Sequence, residues 1–196
     1  MKTAHDLCLL NESTRHPYAS QQAADVAGIE QIFLPTVSLV VWKRPQRLPV
    51  DVATLIGTQR RVMRVVSGSQ LSPITVREAL GPIAIASLSA DLYVLCDLYQ
   101  MLTGTSDIGI RLEVTDRQTC PRFHTDQVSL RLMITYHGEG TQWLETGSVH
   151  QAAVGDVLIA KGELWAEPGG ACVHRSPPVG PGEWRVLVTL DAVANG

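Results

Sequence analysis

The chain has 196 residues, 45% of them hydrophobic, which suffices for one well-buried core and favours one domain over two. A formal net charge of −3 with a pI near 6.0 leaves no overall basic footprint for a nucleic-acid backbone. No uninterrupted apolar run reaches membrane-spanning length and no G-x-x-x-x-G-K phosphate loop occurs, so membrane and nucleotide-loop classes are not expected either.

Met1 to Asp6 lack the long apolar core of a secretory signal, so a cytoplasmic protein with its four cysteines reduced is the expectation. The next residues, to about position 35, mix polar and small side chains; a short helix is expected from Gln21 to Phe33, stopped by Pro35. Thr36 to Trp42 reads as a strand, an edge or partner strand of a later sheet. Pro49 and Asp51 open an expected helix through Val66, with Asp51 as cap and Leu55, Val62, Met63 and Val66 on the apolar side. The basic pairs Lys43-Arg44 and Arg60-Arg61 read as solvated face. A longer helix is expected from about Ser89 to Thr103 with Gly104 ending it; Leu88, Leu92, Leu95, Cys96, Tyr99 and Leu102 share one stripe, which makes Cys96 a core residue.

From Ile108 onward the pattern changes to short alternating segments with glycine-rich breaks: Gly109 to Val114, the H-x-D region through Tyr136, Trp143-Leu144, Val157 to Ala160, Ala171 to His174 and Arg185 to Leu190. Helices followed by runs of strands indicate an α+β chain, with N-terminal helices packed on a C-terminal double-stranded β-helix, a cupin-like jelly roll. The expected organisation is one domain over residues 1–196: a mainly helical part, 1–105, with one strand near 36–42, and a β-barrel part, 106–196. Fold-level analogy allows a homodimer.

The chemistry concentrates in that barrel part. His124 and Asp126 form an H-x-D pair, and in an extended strand side chains two apart share a face, so both can reach one ion. Such a triplet arises by chance in roughly one chain of this size in four, so the triplet alone decides little. Its setting decides more: it precedes a strand, and His174 lies between Gly169-Gly170 and Pro177-Pro178 near another. Two histidines and one carboxylate make the facial metal set with an open side for chemistry, suited to iron(II), with zinc and manganese also compatible. Arg185 sits in an otherwise apolar strand; facing inward it needs an anion, ideally a bidentate carboxylate. This order, His then Arg about ten residues on, is that of iron and 2-oxoglutarate dependent oxygenases, where the Arg holds the far carboxylate of the co-substrate. The alternative is that Arg185 points to solvent or pairs with Asp191 or Glu183.

Two further metal readings stand beside this one. Zinc on the same three ligands with an open position would activate water for hydrolysis or isomerisation. Cys120, His124, Cys172 and His174 could instead close a tetrahedral zinc site, structural or sensory rather than catalytic. Around the centre, Tyr136 is expected to face the pocket by parity with Asp126 and to donate a hydrogen bond, and Arg131 to lie on the opposite face unless a bulge turns it inward. Arg175 and Ser176 would bind an anion beside the metal, with a Pro177-Pro178 turn as the structural alternative. Trp143 is expected to pack the rim, Asp156 to shape a turn, and His137 and His150 to be surface residues; His5 and His16 carry no expectation of function.

The blocks CPRFHTDQVSLRL, TYHGEGTQWL, GDVLIAKGE, VHRSPP and WRVLVTLD resemble the uncharacterised bacterial domain-of-unknown-function family eighteen twenty-six over roughly residues 36 to 191. Cys120, His124, Asp126, Arg131, Trp143, His174, Arg175 and Ser176 match that pattern; Cys172 departs from it, a small apolar residue being expected there. The resemblance implies no reaction, only a neighbourhood of zinc-homeostasis genes. The expectation is therefore a metal-dependent cupin-like enzyme acting on a small molecule, an iron(II) and 2-oxoglutarate dependent dioxygenase. A non-enzymatic zinc-handling protein is the alternative.

Overall fold

The computed structural model describes residues 18–44, 52–57, 59–165 and 170–193. Its architecture follows from strict alternation in a few strands. β4 (Asp107–Thr115) sends Ile108, Ile110, Leu112 and Val114 to one core, β5 (Leu130–His137) sends Leu130, Leu132, Ile134 and Tyr136 there, and β10 (Arg185–Ala192) sends Val186, Val188 and Leu190. Because successive side chains of a strand point to opposite faces, Arg111, Glu113, Arg131, Met133, Arg185, Leu187 and Thr189 share the other face.

The apolar face is covered by α1 (Pro73–Leu80) and α2 (Ala86–Thr103). Ser72 caps α1: its hydroxyl accepts from the Thr75 amide while the Thr75 hydroxyl accepts from the Ser72 amide, with Pro73 in the first turn, where its missing N–H costs nothing. α2 stops at Gly104, whose φ of +64° is the left-handed conformation that a helix end favours in glycine. Its stripe of Leu88, Leu92, Leu95, Cys96 and Tyr99 is buried, and the Tyr99 hydroxyl donates to the Leu130 carbonyl at 2.7 Å, tying the helix to β5.

Two sheets result. With β1 (Ala19–Ala23), β2 (Val37–Trp42), β3 (Arg60–Ser67) and β8 (Val157–Lys161), the larger sheet runs β1-β2-β8-β5-β10-β4-β3. The smaller holds β6 (Gln142–Glu145), β7 (Ser148–Gln151) and β9 (His174–Arg175) in the order β7-β6-β9. A second apolar cluster lies where Leu39, Val41, Met133, Leu158 and Ala160 of the large sheet meet Trp143 of the small one and Cys172. No helix among the described residues is long and apolar enough to cross a membrane.

The first hundred residues depart from expectation. Instead of a helix over Gln21–Phe33, β1 pairs in parallel with β2 and is followed by a 3-10 helix, Ala27–Phe33. Of the two places expected for Thr36 to Trp42, β2 takes that of a partner strand, lying between β1 and β8. The helix expected through Val66 is replaced by a 3-10 turn, Ala53–Leu55, and by β3, which pairs with β4 along its whole length; Pro49 and Asp51 lie outside the described residues. Val62 and Val66 fit either period, and a continuous antiparallel ladder with β4 decides for the strand. Three strands of the first part thus extend the large sheet beside its helices. Arg44 is likewise no solvated cation: it forms a bidentate pair with buried Asp91, at 2.6 and 3.1 Å.

Candidate metal centre and its pocket

The segment His124 to Ser129 runs between the sheets and reaches regular pairing with β5 only at Leu130. It is held at both ends of the triad. His124 and His174 exchange backbone hydrogen bonds at 3.0 and 2.9 Å, which brings the two rings to 4.8 Å between centroids. Asp126 is fixed from the other side, where the Glu163 amide donates to its carbonyl at 2.8 Å and the Gly162 and Leu164 amides donate to Ser129 and Val128. The Glu163 carboxylate also accepts from Thr125 and Gln127. Gly162 is required here, because a Cβ would lie 2.1 Å from the Val128 carbonyl oxygen and 2.6 Å from that of Asp126.

The ligand atoms of His124, Asp126 and His174 lie within 4.8 Å of one another. Nε2 of His174 is 3.1 Å from one Asp126 oxygen and Nε2 of His124 is 3.6 Å from the other. Each Nδ1 is engaged by a backbone carbonyl, Arg122 at 3.0 Å for His124 and Cys172 at 3.2 Å for His174, so both rings turn Nε2 towards the shared carboxylate. That outer bond fixes the tautomer a metal ligand requires. Burial alone would raise the Asp126 carboxyl, but His174, Arg131 and His124 hold it down at about 2, so it is an anion throughout the neutral range. Two imidazoles and one carboxylate converging beside a pocket fit an iron(II)-type site.

Arg131 belongs to this centre, contrary to the parity expectation. Its Nη1 meets Asp126 at 2.6 Å while Nε and Nη2 grip Asp191 at 2.6 and 2.9 Å. Strand alternation does not carry through Gln127 to Ser129, where the backbone bends and parity is lost. The same bend explains Tyr136, whose hydroxyl does not face the pocket: it donates to Asp91 at 2.7 Å on the helix-covered face.

Arg185 is 2% exposed. It donates to the Glu139 carbonyl at 2.9 Å and to the hydroxyls of Thr141, Thr135 and Ser176 at 2.9, 3.3 and 3.4 Å. Neither Asp191 nor Glu183 pairs with it, and among the described residues no carboxylate lies within 4.0 Å of it. Burial pulls its pKa down to about 10, against a weaker upward pull from the charges of Glu113 and Cys120 farther off. A buried cation met at hydrogen-bond range only by neutral acceptors can receive an anion. Arg185, Thr141, Ser176 and Arg175 line the same small cavity, about 70 Å³, as His124, His174 and Arg131. Arg175 donates to Gln142 at 2.8 Å and stacks on Phe123.

The four-ligand zinc set does not assemble. Cys120 is exposed at the pocket wall, whereas Cys172 is packed among Leu39, Val41, Leu158 and Trp143, where burial pushes its thiol up to about 12, and the ligand atoms that converge are those of His124, Asp126 and His174. Trp143 is buried in that cluster and stacks on His150, so His150 has a partner that spacing did not suggest. Asp156 shapes its turn by accepting from the Ala153 amide at 2.9 Å. Sequence reasoning missed Thr135, Thr141 and Glu163, and it missed Arg111 and Glu113 even though their alternation with Ile110, Leu112 and Val114 was the available signal.

Comparison with known proteins bears on the family and the fold. The family model described as Protein of unknown function (DUF1826) matches residues 23–191. No curated protein matches the chain by sequence. Among solved structures it is similar to the dioxygenase for auxin oxidation 1 of Arabidopsis thaliana in its 2-oxoglutarate complex, with TM-score 0.55 and 12% identity over 91% of this chain and 93% of that one. It is similar to a full-length Neurospora crassa protein in complex with α-ketoglutarate and 5-formyluracil, with TM-score 0.53 and 13% identity over 100% of this chain and 88% of that one. A Pseudomonas putida prolyl-4-hydroxylase follows, with TM-score 0.50 and 13% identity over 88% and 100%. At such identities the likeness is one of fold: the jelly roll of these oxygenases.

Proposed function

The chain belongs to the DUF1826 family of proteins of unknown function, and we propose that it is an iron(II) and 2-oxoglutarate dependent oxygenase of a small organic substrate. The observation that carries this reading is one pocket lined by His124 and His174, which converge with Asp126 in a two-histidine, one-carboxylate cluster, and by a buried guanidinium with no acid paired to it. The 2-oxoglutarate named with fold relatives of this chain fits that pairing.

His124, Asp126 and His174 would hold the metal, and iron(II) with 2-oxoglutarate supplies the oxidation by dioxygen of a C–H bond. Arg185 receives the distal carboxylate of 2-oxoglutarate, and the Thr135, Thr141 and Ser176 hydroxyls turn to share it. Arg131 occupies the Asp126 oxygen facing it, leaving the other for the ion. Arg185 and His174 are buried, which strengthens the polar contacts they make.

The test is competitive anaerobic loading with iron(II) and zinc, then calorimetric titration with 2-oxoglutarate. Near-stoichiometric iron is expected, lost in His124→Ala. In Arg185→Met, 2-oxoglutarate affinity should fall at least tenfold while the melting temperature holds or rises. The sign follows from the depressed pKa: the native state binds the proton more weakly than the unfolded chain, so the charge costs stability at every pH below about 10, and that cost fades above it. Preferential zinc, or 2-oxoglutarate binding untouched by Arg185→Met, would overturn the reading.

A further inference from the structure

The open wall of the pocket is read from strand register. Directly paired residues share a face, so Met63, Arg111, Thr189 and Met133 form one row across β3, β4, β10 and β5, and Val65, Gly109, Asp191 and Arg131 form the next. Arg111 is short of partners. Both Asp191 oxygens are engaged by Arg131 at 2.6 and 2.9 Å, so Arg111 reaches Asp191 only at 4.0 Å, and its Nε is buried with no acceptor. Glu113 lies two residues on, on the same face and in the same pocket, with no hydrogen bond or ion pair within 4.0 Å among the described residues.

Beside this pair the wall turns apolar. Gly109 leaves a gap between Asp191 and Val65, where a Cβ would meet only Val193 and the Asp191 carbonyl, at 3.4 and 3.5 Å. Beyond the gap Val65 and Met63 are 59% and 57% exposed, two large apolar side chains in water beside a half-satisfied guanidinium. The contacts Arg111 to Asp191 to Arg131 to Asp126 lead from that spot to the metal cluster.

Resting on the oxygenase reading, we propose that Arg111, Glu113 and the trough over Gly109 to Met63 and Val65 form the subsite for the substrate to be oxidised. That substrate is a monocarboxylate with an apolar body and a hydrogen-bond donor beside its carboxylate, the chemistry of an apolar α-amino acid. Arg111 takes the carboxylate in fork geometry. Glu113 accepts from the ammonium and repels a second carboxylate, which separates this subsite from the diacid at Arg185. The side chain lies along Gly109 against Met63 and Val65.

The test uses full-length protein loaded with manganese(II) and 2-oxoglutarate, which binds without turnover. L-leucine and L-phenylalanine are titrated by ligand-observed NMR beside 3-methylbutylamine and phenethylamine, which lack the carboxylate, and 4-methylpentanoate, which lacks the amine. An amino acid should bind at least tenfold more tightly than its amine, and Arg111→Gln should remove that preference. Glu113→Gln should remove the preference for leucine over 4-methylpentanoate, and Met63→Glu, at an exposed position, should weaken both amino acids at least threefold. No amino-acid binding by a sample that binds 2-oxoglutarate, or binding indifferent to both Arg111→Gln and Met63→Glu, would overturn this subsite alone. A sample that binds no 2-oxoglutarate would overturn the oxygenase reading and the subsite with it.

Discussion

The two faces of the large sheet are built from the same strands and have opposite contents. Under α1 and α2, β4, β5 and β10 present Ile110, Leu112, Leu132, Ile134, Val186 and Val188, each at most 2% exposed. One residue along each strand, facing the smaller sheet, stand Arg111, Glu113, Arg131, Thr135, Arg185 and Thr189. The helix-covered face stabilises the fold by burying apolar area, about 25 cal/mol for each Å² removed from water. The pocket face spends that stability on charges held together and on a guanidinium left without an anion. Alternation lets a short chain do both, because neither face constrains residue choice on the other.

That division predicts separable losses. Leu132→Ala, on the helix-covered face, should cost about 2–5 kcal/mol through lost transfer energy and an unfilled cavity. It should leave metal affinity within about twofold in whatever fraction stays folded. Its neighbour Met133, which lines the pocket, should lose less on truncation because one side already borders open space. Urea unfolding beside metal titration checks both. Equal stability losses, or a large metal defect in Leu132→Ala, would break the distinction between the faces.

A smaller stability effect with a larger effect on the site is expected at Gly162. An added methyl must displace the carbonyls of Val128 and Asp126, which are backbone and cannot swing away. Gly162→Ala should cost about 1–3 kcal/mol as an overpacked position and weaken metal binding roughly 10–100-fold, as loss of a supporting contact does. Unchanged metal affinity would mean that Asp126 is not positioned from the β8 side.

The same division explains what the sequence made legible. His124, Asp126 and His174 could be picked out because few residue types bind metals, and Arg185 because a cation inside an apolar run needs a reason. Gly109 to Val114 is readable as a strand from its uninterrupted alternation, and Arg185 to Leu190 from its β-branched and apolar run. Tyr136 and Arg131 lie on faces opposite to those that strand parity from Asp126 predicts, because the chain bends at Gln127 to Ser129, where no glycine or proline marks it. β3 was misread because Val62, Met63 and Val66 satisfy helical spacing too, and only pairing with β4, over forty residues away, chooses between them. α1 went unnoticed although Ser72, Pro73 and Thr75 carry its start. Local patterns showed which residues carry chemistry; long-range pairing decided which of them share a face.

The smallest effect tests the comparison through the thiols of the described residues, which sample three environments. Cys96 lies under α2 in the helix-side core, Cys172 between the sheets, and Cys120 exposed at the pocket wall. Burial pushes both Cys96 and Cys172 up to about 12. A thiol whose pKa is higher folded than unfolded adds stability that is complete below the ordinary thiol range and is lost as pH rises towards 12. Because the thiolate is the nucleophile, iodoacetamide at pH 8 should label Cys120 in the native protein and reach Cys96 and Cys172 only after unfolding, as peptide mass mapping would show. Cys172→Ala should then leave metal stoichiometry unchanged. Native labelling of Cys172, or metal lost in Cys172→Ala, would place that thiol on the pocket side and restore a cysteine-ligated zinc site.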